Sequence, residues 1–520
     1  MAEDNLLKLL NLSHTGHLTP GGEIPQNELL RKFNLGSKRI ARLSPARDVF
    51  FTIVSKFQTN STDDPEFKHI EEREVWHRRY AYIMAAGNTT TATSTYWAKS
   101  AYDTMIGNKT MSGIKMTCDY NAKGQFSNKY LRSGNDLFDK DETRPTHMFK
   151  GQVLKIPVTH AAANDGEVKG TGTINLEITS IENGTGSDSG RVIVGGKILS
   201  HPSFTLGSGN VVAIGTGWKG GNLNATEGST LTPMRDLTKA PTVQNKRRED
   251  RVYVVGSTYS EASGLPHTSY TDRLADDFGF TQIFKNDLTM SNTAIATMLK
   301  HRPQEYQRRW RKVMLAHKRD INMAGLFSVK NKADVDGKMK RQTEGLINFI
   351  MNNGWIFDIT ANKTYDDFLE DMSEFFHPEV AQENGHMFHV DTATFNWFNR
   401  LNGGFIDNSI NGKNYFSADM KLLGTKQFSG FYFTEISLPH GGVMRMVKDI
   451  NLDGTGIKIL GVNYNQVEYR PLVGNNVNRD TTVYMKVKSI ENGGDDYRTD
   501  LVQTEAGFDF SLGETFAMWK

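Results

Sequence analysis

A polar cluster in the first fifth of the chain, HIEEREVWH, has the residue types of a catalytic site. It places His69 and His77 around Glu71, Glu72 and Glu74. A carboxylate in such company could act as a general acid or base. The sequence supplies no nucleophile, metal-ligand triad or glycine-rich phosphate loop beside it, and a working site needs those groups. We therefore interpret the cluster as solvated or intersubunit charge.

Two later segments carry metal-ligand residue types. His386 and His389 are three residues apart in a strand-like run, which puts their side chains on opposite faces of the strand and disfavours shared ligation. Residues 449–454 (DINLDG) match the opening of a calcium loop, but Leu460 occupies the twelfth position, where a bidentate Glu is required. This segment is predicted to be a turn closed by Asx hydrogen bonds.

A glycine-rich motif, GTGWKG at 215–220, has the spacing of a dinucleotide-binding loop. Such a loop must open a helix whose N-terminus meets the phosphates, and the residues that follow, GNLNATEGST, are not helix-forming. The motif is predicted to be a β-turn. The sequence also lacks a Walker motif and a Gly-x-Ser-x-Gly motif. It therefore predicts no catalytic residue, no cofactor and no metal site, and the protein is not expected to be an enzyme.

The remaining candidate is the basic segment from Lys300 to Asp320. Eight of its residues are Lys or Arg and two are acidic, in a chain whose net charge is only +2. The large side chains follow a spacing of three to four residues, which predicts one packed helical stripe: Tyr306, Trp310, Val313, His317 and Ile321. Its other faces could contact phosphate without reading sequence. No helix-turn-helix or zinc pattern accompanies it.

Length and composition limit the class of protein that contains this helix. At 520 residues the chain is expected to form two or more domains. Cys118 is the only cysteine, which excludes an internal disulfide framework and fits synthesis in a reducing cytosol. No stretch of about 18 apolar residues is present, and the N-terminus lacks the basic region of a signal peptide. We expect a protein used inside a cell, or exported only within a larger particle.

The order of predicted elements is strands, then helices, then strands. Arg31 to Arg47 contains six Lys or Arg and no acid, which indicates a basic arm or a solvated loop. Val49 to Met84 is predicted to be strand-like, and residues 148–220 contain four short β-branched runs. A second helix, Thr364 to Phe376, has an apolar side and an acidic side, and short strands follow Gly385. This order indicates an α+β fold with a β-rich insertion.

Several of these segments, in their order and spacing, resemble the major head proteins of tailed bacteriophages with the Hong Kong 97 fold. The shared features are a Thr-Gln-Ile-Phe strand (Phe280 to Phe284), a small-residue turn (Ser291 to Ala296) and a long helix with Lys-Arg-Asp near its end (Lys318 to Asp320). Gly345 to Ile350 and the closing DLVQTEAGFDFSLGETFAMWK also fit. The similarity covers about half of the chain.

The resemblance implies a domain organisation and a function. The implied parts are an N-terminal arm (1–50), an extended loop and the start of the peripheral domain (51–145), an inserted β-rich subdomain (146–230), return strands (231–290), a peripheral domain with the spine helix (291–384), an axial domain (385–500) and C-terminal strands that return to the peripheral domain (501–520). The implied function is self-assembly as hexamers and pentamers into an icosahedral shell around double-stranded DNA. The protein would be made in the host bacterial cytoplasm and would reside in the virion.

The resemblance also implies partners. They are copies of the chain itself, packaged DNA through non-specific contact, and scaffolding, portal, decoration and head-fibre proteins, with no membrane. The residues expected to face DNA are Arg308, Arg309, Arg311, Lys312, Lys318 and Arg319. The alternatives are another virion protein of the tail or head decoration, a β-rich hydrolase or glycan-binding protein with Trp218 and Trp397 as sugar platforms, and a non-specific DNA-binding protein.

Overall fold

A computed structural model describes residues 48–73, 79–85, 96–118, 144–162, 168–185, 191–208, 210–214, 251–261, 263–264, 274–296, 304–359, 365–376, 386–398, 421–428, 431–437, 443–494 and 496–520. These residues form two compact units. One comprises the described residues up to His69 together with those from Asp277 onward, and the other lies within Ile70 to Asp276. The predicted basic arm and the motif at 215–220 lie outside the described residues.

The first element corrects a prediction. Residues Val49–Phe57 form helix α1, although their β-branched and aromatic side chains suggested a strand. Val49, Phe50, Ile53 and Val54 recur at helical spacing and are buried, so tertiary packing of this stripe outweighs the weak strand propensity. Strand β1 (Glu66–Glu71) follows as predicted.

The unit within Ile70 to Asp276 is built almost entirely of strands. Its elements are β2 (Tyr80–Ala85), β3 (Tyr96–Ala98), helix α2 (Lys99–Asn108), β4 (Thr110–Thr117), β5 (Gln152–Ala162), β6 (Val168–Asn183), β7 (Val192–Ser200), β8 (Asn210–Ile214) and β9 (Arg251–Ser257). The four β-branched runs predicted between residues 148 and 220 are β5 to β8, and all four are strands as expected.

The strands of this unit close into an antiparallel barrel. Pairing runs from β5 through β6, β7, β4, β2 and β9, and β9 then pairs back with β5. Closure removes free sheet edges, and β8 and β3 extend from the other half of β5. The interior is apolar, with Ile83, Ile114, Leu154, Leu176 and Val194 among its buried residues. The strands predicted as a separate block therefore share one core with β2, β4 and β9.

The other unit contains the remaining helices and strands. They are β10 (Ala275–Phe280), β11 (Gln282–Ser291), α3 (Asn292–Ala296), α4 (Glu305–Phe327), β12 (Asn331–Val335), β13 (Lys338–Gln342), α5 (Leu346–Asn353), β14 (Trp355–Phe357), α6 (Tyr365–Phe375), β15 (His386–Val390), β16 (Lys421–Phe428), β17 (Phe431–Ser437), β18 (Val443–Lys448), β19 (Ile459–Asn463), β20 (Val467–Pro471), β21 (Val473–Gly474), β22 (Val477–Asn478), β23 (Thr482–Lys488), β24 (Tyr497–Phe510) and β25 (Ala517–Trp519). None of the helices among the described residues is both long and apolar enough to cross a membrane.

Two sheets organise this unit. The long strand β24 pairs with β11 along one edge and with β23 and β20 along the other. The second sheet has the strand order β14-β25-β19-β15-β18-β17-β16, so the last strand of the chain is inserted beside β14 and β19. The α+β class expected from the sequence is therefore confirmed, and so are the two predicted helices, α4 and α6.

A single apolar core joins α1, α4 and the sheet of β24. Gly325 of α4 permits the closest approach, because a Cβ atom there would lie 2.8 Å from the Phe508 ring and 2.9 Å from the Phe50 ring. Asn322, also on α4, accepts a hydrogen bond from the backbone N–H of Phe51 at 2.9 Å. The long helix is thus fixed against both neighbours by shape and by a buried polar contact.

Candidate functional site

The spine helix, α4, packs one face on the sheet formed by β11 and β24. Tyr306, Trp310 and Val313 are half-buried against Leu288 and Met290 of β11, as their spacing predicted. Farther along the helix, Ile321 is fully buried in the main core of the unit. The apolar stripe deduced from the sequence is therefore the packed face of the helix.

His317 joins this face to the sheet through two buried contacts. Its Nδ1 lies 2.6 Å from Asn286 Oδ1 and its Nε2 lies 2.7 Å from Thr504 Oγ1. Asn286 Nδ2 donates to Asp320 at 3.0 Å, which leaves its carbonyl oxygen facing the ring, so His317 Nδ1 carries the proton. Burial lowers the pKa of His317. The histidine is thus a structural bridge between the helix and the sheet.

Asp500 on β24 provides a second connection between the helix and the sheet. This fully buried carboxylate accepts hydrogen bonds from the Tyr306 hydroxyl, from Arg498 Nε at 3.0 Å and from the backbone N–H of Lys486 at 2.6 Å. The Arg498 guanidinium also lies 4.8 Å from the centre of the Tyr306 ring. Burial and the hydrogen bond to Asp500 raise the pKa of Tyr306 to about 12.

Two of the arginines expected to face DNA are engaged at the start of the helix. Arg309 is buried, and its Nε donates to Glu305 at 2.8 Å; Arg308 donates to the same carboxylate through Nε at 2.6 Å. Burial by itself would raise the pKa of Glu305, but the hydrogen bonds from Arg308 and Arg309 outweigh it and the pKa is lowered. These three residues form an ion cluster in the first turns of the helix.

The other four expected residues lie on the solvent side of α4. Arg311, Lys312, Lys318 and Arg319 are all exposed. Arg311 and Lys318 are seven residues apart, as are Lys312 and Arg319, so each pair occupies one line along the helix. Together they form a basic stripe, which we call the spine stripe. Its side chains can contact the phosphates of an extended polyanion, and such contact requires no element that reads bases.

The segment that resembles the opening of a calcium loop has a structural role. In the segment 449–454, Asp449 Oδ1 accepts from the backbone N–H of Asn451 at 3.0 Å and from its side chain at 2.9 Å, which is the expected Asx turn. Asp453 is used by Thr392, whose backbone N–H and hydroxyl each donate to it at 2.8 Å. Among the described residues, no group of three or more His, Cys, Asp or Glu side chains could hold a metal ion.

The two histidines near residue 386 have separate environments, as their strand spacing predicted. His389 is fully buried between Asp449 Oδ2 at 3.2 Å and the Tyr464 hydroxyl at 2.6 Å. His386 packs edge-on against Phe375 and Phe376, and burial lowers its pKa to about 4. Neither arrangement places a reactive group at the surface.

Two described members of the polar cluster near residue 70 are paired with different residues. His69 Nδ1 lies 2.6 Å from Asp509, whereas Glu71 is paired with Arg73 at 2.7 Å. Residues 74–78, which include Glu74 and His77, lie outside the described part of the chain. Trp397, a possible sugar platform, packs edge-on against Phe398, with ring centres 5.0 Å apart. Trp218 lies outside the described residues.

Sequence reasoning missed the polar anchors of the spine helix. Asp500, Asn286 and Asn322 lie in unremarkable strand or helix sequence, and their roles depend on partners 31 to 271 residues away. The acid Asp500 gave no distinct signal, because β24 also contains Glu505 and Asp509. These anchors attach the helix to the sheet and to α1.

The chain matches the family model described as SU10 major capsid protein over residues 37–518. No curated protein matches it. The match includes the strand, helix and closing segments on which the resemblance to phage head proteins was based, and it confirms that resemblance.

Solved capsid structures show weaker likenesses. The capsid of a native GTA particle is 10% identical with a TM-score of 0.32, covering 51% of this chain and 80% of that chain. A chain of Mycobacterium phage Che8 is 11% identical with a TM-score of 0.30, covering 50% and 81%. The capsid of Myoviridae phage XM1 is 11% identical with a TM-score of 0.30, covering 49% and 80%. The family assignment rests on the match over residues 37–518 and not on these structural similarities.

Proposed function

This chain belongs to the SU10 major capsid protein family, and we propose that it assembles as hexamers and pentamers into the icosahedral head of a tailed bacteriophage. It is a structural component of the virion, built into a shell with copies of itself. The observation that carries the proposal is the family match over residues 37–518. The geometry of a long helix locked to a sheet by buried polar anchors supports it, because a shell subunit must keep its shape under load.

The spine stripe faces the packaged double-stranded DNA in this proposal. Its side chains neutralise the phosphates that lie next to them and do not read the base sequence. They are those of Arg311, Lys312, Lys318 and Arg319. Arg308 and Arg309 are assigned instead to the Glu305 ion cluster, because their hydrogen bonds hold them there. The division of the helix into an ion-paired start and a basic exposed stripe supports this assignment.

The domain organisation of the Hong Kong 97-like fold is proposed on the same basis. The sheet of β24 with the spine helix is the peripheral domain, and the seven-stranded sheet is the core of the axial domain. The inserted subdomain comprises the closed barrel within Ile70 to Asp276. It therefore includes more of the chain than the residues 146–230 predicted from the sequence. The arm predicted over residues 1–50 lies outside the described residues as far as Arg47, and Val49 and Phe50 belong to α1 instead. Scaffolding, portal, decoration and head-fibre proteins are further proposed partners, and assembly takes place in the host cytoplasm.

Electron microscopy of the expressed full-length chain tests the proposal. Closed shells, tubes or sheets built from rings of subunits are the expected products. A clean monomer that forms no such assembly would count against a major capsid protein. A protein that remains small but binds preformed heads would instead favour the alternative, a head-decoration or tail protein.

A further inference from the structure

An edge strand of the β24 sheet exposes an unusual concentration of large apolar side chains. Within eight residues of β23 and the turn after it, five such side chains are exposed, and we call them the β23 patch: Val483, Tyr484, Met485, Val487 and Ile490. Met485 and Ile490 are 61% and 58% exposed. Exposed apolar side chains this close together in the chain offer an apolar surface that a partner can cover.

The patch is held in a fixed conformation. Lys486 has a φ of 55°, a left-handed conformation that a lysine adopts only when its surroundings enforce it. The constraint is Asp500, which accepts the Lys486 backbone N–H and simultaneously the Tyr306 hydroxyl of the spine helix. Met485 and Val487, on either side of Lys486, are therefore anchored through Asp500 to the spine helix. A preorganised surface loses little freedom on binding.

The strand is built to make contacts through side chains and not through strand addition. Among the described strands, β23 pairs only with β24. Its register is interrupted between Tyr484 and Lys488, and Lys486 and Lys488 lie along the edge. Bulges and edge lysines are the features by which proteins block pairing with a foreign strand.

We propose that the β23 patch packs against the β23 patch of a second copy of this chain, around a symmetry axis of the shell. This inference rests on the proposed function, since a shell protein is surrounded by its own copies. Exposed charges of both signs lie beside the patch: Lys486 Nζ is 3.9 Å from the Glu491 carboxylate within one copy. Two copies meeting at this surface can exchange these partners while burying Met485 and Ile490, as an interface between identical surfaces requires.

Single-cysteine crosslinking tests the contact directly. Met485→Cys places a thiol in the patch, and the native Cys118 is buried and does not compete. In oxidised, assembled particles the variant is expected to form reducible dimers. Met339→Cys, at a methionine that is 49% exposed on β13, is the matched control and is expected to remain monomeric on a denaturing gel. The proposal is overturned if Met485→Cys gives no more dimer than this control.

Assembly yield is the second readout. Met485→Glu is expected to weaken association between subunits at least about tenfold. The substitution places a charged side chain in every contact between two β23 patches, so many contacts in one shell are weakened. Met339→Glu should leave the yield unchanged, and circular dichroism should show native folding for both variants. Normal shells from Met485→Glu would overturn this inference and leave the proposed function intact. A wild-type chain that forms no shells, tubes or sheets would overturn both.

Discussion

Removing the Asp500 carboxylate should loosen the spine helix and the β23 patch together. Asp500→Ala leaves three donors without their acceptor: the Tyr306 hydroxyl, the Lys486 backbone N–H and the Arg498 guanidinium. An unsatisfied buried donor costs about 1–3 kcal/mol. Arg498 is partly exposed and can turn to water, so its loss contributes less. Because the Tyr306 hydroxyl and the Lys486 N–H are only partly buried, the expected decrease in the free energy of unfolding is about 2–3 kcal/mol, from the low end of that range for each donor.

Two measurements on the unassembled chain test this value. Urea unfolding of Asp500→Ala, Tyr306→Phe and the double variant gives a thermodynamic cycle, and the two changes are expected to be strongly non-additive because the residues share one hydrogen bond. Amide exchange of residues 482–488 gives a local readout, since the Lys486 N–H should lose its protection. A decrease below about 1 kcal/mol, or simple additivity, would refute the reasoning.

Three further predictions concern pH, packing and charge. The pKa of His386 is lowered to about 4 from an unfolded value of 6.5, so its contribution is complete above pH 6.5 and is lost as the pH falls toward 4; urea unfolding across this window should show a loss on the order of 3 kcal/mol. Gly325→Ala should destabilise the chain by about 1–3 kcal/mol in the same assay, because the new methyl group overlaps the Phe508 ring. Replacing both Arg311 and Lys318 with Gln should reduce the salt dependence of duplex binding by the unassembled chain, by about 0.9 in logarithmic slope per lost phosphate contact.

Matched controls separate these effects from general damage. His386→Phe should flatten the acid limb of the stability profile, and a limb of unchanged steepness would assign it to other groups. Gly107→Ala, in a helix where a Cβ meets no atom within 4 Å, should not destabilise the chain. Replacing Lys338 and Lys340 with Gln on exposed β13 removes the same charge away from the spine stripe. An equal loss of salt dependence there would show that the stripe has no special role.

Sequence patterns were sufficient where the physical signal is local. The helical spacing of Tyr306, Trp310 and Val313 predicted both the spine helix and its packed face, because a helix repeats its face every three to four residues. The β-branched runs predicted β5 to β8, and the missing twelfth-position Glu predicted a turn at 449–454. Local signals failed at Val49–Phe57, where strand-forming residues are held in a helix by the core they share with Phe508.

The sequence by itself therefore determined the α+β class, the spine helix and, through the order of its motifs, the capsid family. Tertiary structure alone decided which charges are available. Arg308 and Arg309 appear equivalent to Arg311 in the sequence, but Glu305 binds the first two and leaves the third exposed. Tertiary structure also closed the barrel and placed Asp500 beneath both the helix and the β23 patch. Such contacts join residues far apart in the chain, and no periodicity of a single segment encodes them.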